Sequence, residues 1–456
     1  MSEQIDLGNS ATSDALLPWY DVEGLVNELV LYDGQVDIVL GEYPQTSRAT
    51  VSLCMTPRPC VRIMLDDLGV GELESGAPFS VSIPGDTREL KIHWGEIREV
   101  HTVNETRFDL EGIVEDHPFD PRSMFHRVVF HLINWPRFLG APIRYPDGTT
   151  SACRQEWTIG QWRIVVDPIL NLSEKEIDNE RRRGYMISHV GFIERVDNQG
   201  FKFENVKTIL DALVWVLSFC RGAWSMPCLF VGLNEKGDLV AESWRYGLVH
   251  EAGYVMSWRF AFQMETPPLL SGLLTRLNSE IWAEPIRLVM QWYMNSNTNH
   301  APDITGAIVI QQAGLELLAW TLLVCDRKVL SEDGASGLPA SDKLRLLLSS
   351  CRIPVEIPEV SVALRKIAKE YNWQDGPAAL VGTRNAIVHA TPTKRKRFIG
   401  KDKRFLLEVW ALGQWYLDLV LLYVMNYRGI YSNRLLVLSR AAYPEELVPW
   451  VHKSEL

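Results

Sequence analysis

Arg384-Asn385-Ala386-Ile387-Val388-His389 sets a permanent cation, a carboxamide and a titratable imidazole on one short stretch, and Lys394-Arg395-Lys396-Arg397 follows almost at once. A guanidinium grips non-bridging phosphate oxygens through a planar fork of donors. An imidazole exchanges protons near neutrality. The basic run adds a local positive field. Lys394 to Arg404 carries seven Lys/Arg and one Asp, a charge of +6 in a chain of net charge −11, so the remainder carries −17. Such asymmetry suits a local anion site better than a nucleic-acid coat over the whole surface. The combination suggests phosphate chemistry on a polyanion. RNA is the favoured one, because its 2′-OH is a built-in nucleophile and only proton transfer and charge stabilisation remain to be supplied.

Spacing alone does not single out this segment, since Arg-x4-His occurs three times, at Arg88–His93, Arg245–His250 and Arg384–His389. The first lies in an alternating strand pattern and the second contains Gly247. The third lies in a helical stretch stopped by Thr391-Pro392. At 100° per residue, Asn385 and His389 share a face one turn apart, with Arg384 beside them. Ala378, Val381 and Val388 are then assigned to the packed face. Glu316 interrupts an apolar helix one turn after Gln312 and is a candidate partner for Arg384, or else marks a solvent stripe. An ordinary bundle helix with surface Arg and His fits the same spacing.

These residues, with the order of helices around them, resemble a HEPN domain, the helical-bundle family whose ribonuclease members share Arg-polar-x3-His. The resemblance covers roughly residues 300–430. It comprises the helix with Gly314-Leu315-Glu316-Leu317-Leu318-Ala319-Trp320, then Lys343-Leu344-Arg345, the motif, and a long closing helix. It implies a metal-independent endoribonuclease without cofactor, in which Arg384 holds phosphate, His389 transfers protons and Asn385 orients the ring or bonds phosphate. Cleavage by 2′-OH attack would leave a 2′,3′-cyclic phosphate and a 5′-OH. It also implies a homodimer with two motifs facing one cleft, and resembles HEPN proteins of abortive infection and phage defence with a β-rich N-terminal region. The alternative it leaves open is a non-catalytic HEPN module binding RNA, nucleotide or a protein partner. In a third reading the β-rich region is a ligand-binding domain that carries the main function, and the helices serve dimerisation.

The elements that must position these groups are legible from periodicity. The predicted class is α+β: a β-rich N-terminal domain, sandwich or barrel-like, over 1–180, a mixed segment over 181–265 packed on it, and an all-α region over 266–456. Alternation marks Ala49–Cys54, Cys60–Leu65, Phe79–Ile83, Glu89–Trp94, Phe108–Val114 and Gln161–Val166. Turns are expected at Asp33-Gly34, Asp197–Gly200 and Asn234–Gly237. Helices are expected at 269–278, 279–297, 304–327, 341–351, 359–371, 377–390 and 403–428, with Ser331–Ser336 as a flexible loop. Everything after residue 266 reads as helical.

At 456 residues the chain needs two or three cores. Seven dispersed cysteines without CxxC spacing suit reduced thiols, and the polar, acidic start is unlike a secretory signal, so a cytoplasmic setting is expected. Phe405–Tyr427, interrupted by Glu408, Gln414 and Asp418, reads as a buried helix rather than a membrane span. His126 and His131 read as structural. The chain has no Gly-rich phosphate loop, HExxH or GxSxG, which argues against an ATPase, a zinc hydrolase or a metal-dependent nuclease.

Overall fold

The computed structural model of the protein describes residues 12–22, 28–40, 43–68, 79–86, 89–101, 106–259, 266–389, 403–439 and 444–452. The fold is mixed α+β, β-rich in the N-terminal half and helical in the C-terminal region. The chain divides into two compact units, residues 1–210 with 225–254, and residues 211–224 with 255–456.

The first unit contains a closed barrel and an open sheet. After β1 (Ser13–Asp14), the barrel strands are β2 (Glu28–Leu40), β3 (Tyr43–Cys54), β4 (Cys60–Leu68), β5 (Phe79–Ser82), β6 (Glu89–His101) and β7 (Thr106–Asp116). They close in the order β2-β3-β4-β7-β6-β5. Alternation decides which side chains fill the barrel interior. Val36 and Ile38, Ala49 and Val51, Val61 and Ile63 are fully buried, while Asp37, Arg48 and Met64 between and beside them face outward. A closed sheet leaves no unpaired edge.

The predicted turn at Asp33-Gly34 is corrected. Those residues lie inside β2, paired with Thr50 and Ala49 of β3. The Tyr32 ring folds over Gly34, its hydroxyl 2.7 Å from where a Cβ would stand, and donates to the Gln35 carbonyl. The glycine therefore serves a close side-chain approach rather than a hairpin. Asp33 meanwhile pairs with Arg48 at 3.0 Å.

The open sheet includes β9 (Arg127–Ile133), β10 (Ala141–Arg144), β11 (Thr150–Ile159), β12 (Trp162–Pro168), β13 (Ile187–Arg195), β15 (Pro227–Leu233) and β16 (Leu239–Ser243). Its order is β1-β10-β11-β12-β13-β9-β15-β16, so strands from both sides of residue 180 share one sheet. Helix α1 (Leu172–Arg182) lies between β12 and β13 in the chain. The expected hairpin at Asn234–Gly237 is present, with Gly237 at φ +84°. The one at Asp197–Gly200 is corrected. After that turn β14 (Phe201–Lys202) pairs with β8 (Met124–Phe125) instead of returning along β13.

Two histidines are buried in this sheet. His131 Nδ1–H donates to the Leu229 carbonyl at 3.0 Å, and Nε2 accepts the Trp19 N–H at 3.3 Å, which together require the neutral ring. Burial lowers the pKa of His131 to about 4, and burial followed by the nearby Arg137 charge lowers that of His189 to about 3. Both folded values lie below the ordinary histidine range. Their stabilisation is therefore complete above pH 6.5 and is lost as pH falls toward 4, where the unfolded rings bind protons that the folded rings refuse. For His131 alone, unfolding free energy is expected to fall by roughly 2 kcal/mol between pH 7 and pH 5. Urea unfolding of the protein and of His131→Gln at the two pH values measures it. An unchanged slope in the variant refutes the assignment.

The second unit is dominated by helices: α3 (Thr266–Leu277), α4 (Ala283–Asn299), α5 (Ile304–Trp320, continued by a π-helical segment Thr321–Asp326), α6 (Glu332–Gly337), α7 (Ala340–Ser350), α8 (Val362–Tyr371), α9 (Gly376–Val388), α10 (Lys403–Val424) and α11 (Arg434–Leu438). Helix α2 (Phe203–Arg221) precedes them in the chain. The expected helices sit within a few residues of these bounds. Two expectations are corrected. Ser331–Ser336 is a capped helical turn, with Ser331 Oγ accepting the Gly334 N–H at 3.1 Å. The C-terminal region is also not wholly helical, since Ile430–Ser432 pairs with Glu445–Leu447 as β17 and β18.

Two helical stretches, Ile304–Asp326 and Lys403–Val424, are long and apolar enough to cross a membrane by length and composition. In the second, 94% of the apolar window is buried against the rest of the protein. Its three polar interruptions each have a partner. Glu408 accepts the Leu364 N–H at the start of α8, Gln414 donates to the Tyr293 carbonyl, and Asp418 pairs with Arg434. All seven cysteines are free thiols.

Candidate active site

Helix α9 presents the motif, and its start is held firmly. Asp375 caps it by accepting the Ala378 N–H at 2.9 Å, with Pro377 in the first turn, where a missing N–H costs nothing. Arg345 of α7 donates to the same Asp375 carboxylate at 2.6 Å. Sequence reasoning missed this support, although Asp375-Gly376-Pro377 carries a recognisable helix-start signal.

The buried face of α9 comprises Gly376, Ala379, Leu380, Thr383 and Ala386, with Val381 also buried. The assignment of Val388 to the packed face is corrected, because Val388 is 46% exposed and Ala378 only half-buried. The reason is angular. The stripe 376-379-380-383-386 follows the helical period, and position 388 falls off it in the final, open turn.

Arg384, Asn385 and His389 converge at that open end. Arg384 Nη1 donates to Asn385 Oδ1 at 3.2 Å and lies 3.5 Å from His389 Nε2. Asn385 and His389 are exposed and Arg384 is half-buried. His389 occupies the C-cap, and its backbone N–H donates to the Asn385 carbonyl at 2.9 Å. The ring thus stands at the end of the helix, exposed. A guanidinium N–H facing Nε2 favours a lone pair on that nitrogen, the form that accepts a proton. Asn385 touches the arginine rather than the ring, so its hydrogen bond positions the guanidinium.

Glu316 is corrected as the partner of Arg384. Helix α5 packs against α9, but Glu316 Oε1 accepts from Gln312 Nε2 one turn earlier at 2.7 Å. Among the described residues Arg384 bonds Asn385 and approaches His389. Lys394, Arg395, Lys396 and Arg397 lie outside the described residues. Lys403 and Arg404, at the end of the same basic run, are exposed at the start of α10, where Arg404 pairs with Glu408 at 3.0 Å. Among the described residues no group of three or more His, Cys, Asp or Glu could hold a metal ion.

The YopA central domain model matches residues 120–255, and the YopA C-terminal domain model matches residues 279–445. The SPbeta prophage-derived protein YopA of Bacillus subtilis (strain 168) is 30% identical over 334 residues, covering 71% of this chain and 72% of that protein. The chain belongs to the YopA family. No solved structure matches it. The YopA C-terminal domain match contains α4 to α11 and so includes Arg384, Asn385 and His389. The YopA central domain match covers β8 to β16, while the barrel strands β2 to β7 precede both matched regions.

Proposed function

We propose that this YopA-family protein is a HEPN-type, metal-independent endoribonuclease that cleaves RNA by 2′-OH attack. The observation that carries this reading is the meeting of Arg384 and His389, 3.5 Å apart, on the open end of α9. His389 withdraws the 2′-OH proton as that oxygen attacks the adjacent phosphorus. Arg384 neutralises charge accumulating on the non-bridging oxygens, and Asn385 holds the guanidinium in place. The P–O5′ bond breaks, leaving a 2′,3′-cyclic phosphate and a 5′-OH. The leaving oxygen needs a proton from a second acid. A second copy of the chain, its own motif facing the same cleft, supplies it in an isologous dimer. The prophage origin of the B. subtilis relative suits a toxin or defence effector held in check until triggered, with the β-rich region as the place where the trigger acts.

The test is incubation of purified protein with total RNA, with and without EDTA. Cleavage that survives EDTA and yields 2′,3′-cyclic phosphate ends supports the reading. Retention of RNA without cleavage favours a non-catalytic RNA-binding module. Full-rate cleavage by a strictly monomeric preparation overturns the two-motif cleft.

The basic run makes a separate prediction. Lys394, Arg395, Lys396 and Arg397 bind RNA phosphates, and neutralising each of them should lower the slope of log K against log salt by about 0.7 on a single strand. Changing all four to Gln is expected to reduce the slope by roughly 3, measured by fluorescence anisotropy with labelled RNA at several salt concentrations. An unaltered slope removes the run from the interface.

A further inference from the structure

Cys54 and Cys60 stand opposite each other where β3 ends and β4 begins, as register partners at the last and first positions of the two strands. The barrel's alternation sets their side. Leu53 and Val61, the neighbouring pair, are fully buried, so Cys54 and Cys60, one position along, project together from the other face of the sheet. Facing Cα atoms on antiparallel strands lie about 4.5–5.5 Å apart, inside the span of about 4.4–6.8 Å that a disulfide bridges. Both thiols are free. Among the described strands no other two cysteines are register partners.

The turn between them runs from Met55 to Pro59 and holds this geometry. Pro57 and Pro59 have fixed φ, and Met55 and Pro59 are buried while Thr56, Pro57 and Arg58 are exposed. The pair thus sits at the rim of a hairpin, with Cys60 half-buried and Cys54 buried. Arg62, on the same face as Cys60, hydrogen-bonds it, and that bond is the first cause holding the guanidinium above its ordinary range. Arg62 also donates to Glu111 at 3.0 Å and to the Thr56 carbonyl at 3.4 Å, which fixes it at the turn. Burial pushes the Cys54 thiol up to about 11, and Arg62 is the charge that opposes this. The two sulfurs therefore suit different steps. An accessible thiol beside a cation attacks first, and a buried one closes the bridge.

We propose that Cys54 and Cys60 form a reversible dithiol–disulfide site that reacts with small-molecule disulfides. Cys60 Sγ, as the thiolate, attacks one sulfur of a disulfide RSSR. A Cys60–SR mixed disulfide forms, and the released RS⁻ takes up the proton that Cys60 lost. Cys54, deprotonated in turn, attacks Cys60 Sγ and expels the second RS⁻, which takes up the Cys54 proton. Two protein thiols are oxidised to one disulfide, and RSSR is reduced to two RSH. The product ties β3 to β4 across the turn. The site shares no residue with Arg384, Asn385 and His389, so it stands or falls separately from RNA cleavage.

The test is equilibration of the full chain in glutathione buffers of fixed total concentration and varied ratio of oxidised to reduced form, then thiol blocking with N-ethylmaleimide and tryptic mass spectrometry. Arg48 and Arg62 bound a peptide of residues 49–62 that holds both cysteines, and Arg58 before Pro59 resists trypsin. This peptide is expected to appear two hydrogens lighter than the dithiol and without maleimide. It should do so at a ratio at least about 10-fold below that which modifies the half-buried Cys153 and Cys325. Excess reduced glutathione should restore the dithiol. Cys54→Ser should stop with glutathione on Cys60, and Cys60→Ser should leave Cys54 unmodified. Absence of the lighter peptide at every ratio overturns the proposal. So does its appearance only alongside modification of Cys153 and Cys325. Glutathione on Cys54 of the Cys60→Ser chain at the parent rate overturns Cys60 as the attacking thiol. Should either variant fail to fold, the titration of the parent chain decides alone.

Discussion

His389→Ala is expected to lower the rate of RNA cleavage by about 10²–10⁴-fold, the usual contribution of a positioned proton-transfer group. That corresponds to about 3–5 kcal/mol of lost transition-state stabilisation. The fold should not notice. His389 is exposed, and the bond it contributes to the end of α9 comes from its backbone N–H, which alanine keeps. A thermal melt of the variant should therefore overlay that of the parent protein. Arg384→Lys adds a finer reading, because it keeps the charge and loses the planar fork. It should cleave more slowly than the parent and faster than Arg384→Ala. Initial rates on a defined RNA, with circular dichroism on each variant, measure both. Parent-like cleavage by His389→Ala would remove the imidazole from the chemistry, whatever the helix around it looks like.

Arg434→Met is expected to be the most destabilising single change in the helical unit. Arg434 and Asp418 are fully buried and joined twice, Nε to Oδ2 at 2.6 Å and Nη2 to Oδ1 at 3.1 Å. The guanidinium also donates to Asn297 Oδ1 at 3.0 Å and to the Tyr293 hydroxyl at 3.2 Å. Asn297 in turn donates to the carbonyls of Gly222 and Met256, so one arginine ties α4, α10 and the 222 turn together. Burial pushes the Asp418 carboxyl above its ordinary range, and Arg434 opposes that shift. Removing the arginine leaves a buried carboxylate with its main counter-charge gone, a loss of about 3–5 kcal/mol. At 2–4 °C per kcal/mol for a unit of this size, the melting midpoint should drop by roughly 10 °C. Pairing Arg434→Met with Asp418→Leu should restore much of the loss, because replacing both charges removes the desolvation cost that breaking one exposes. A double variant no better than the single would show that Asn297 and Tyr293, rather than Asp418, depend on the arginine.

The same pair shows where sequence reading stops. Asp418 is visible as an interruption of an apolar helix, but nothing local points to Arg434. Glu316 is equally visible and suggests Arg384 as its partner, although Gln312, one turn away, holds it. In the β-rich half, alternation marks barrel strands correctly. The turn expected at Asp33-Gly34 fails because a tyrosine packing on a glycine and a hairpin share one local signature.

By itself the sequence determined the local periods. These are the helices of the C-terminal region, the alternating strands before them, the stop at the end of α9, and hence the placing of Arg384, Asn385 and His389 within one turn and a half. Such features depend on residues a few positions apart, whose geometry the backbone period dictates. Only the tertiary structure decided that six strands close into a barrel, that β9 lies between β13 and β15, and that Val388 is open to solvent. Those outcomes depend on which distant segment supplies the partner. A hydrophobic or charged position advertises only that it needs one, and many partners of the right chemistry satisfy that need until packing selects among them.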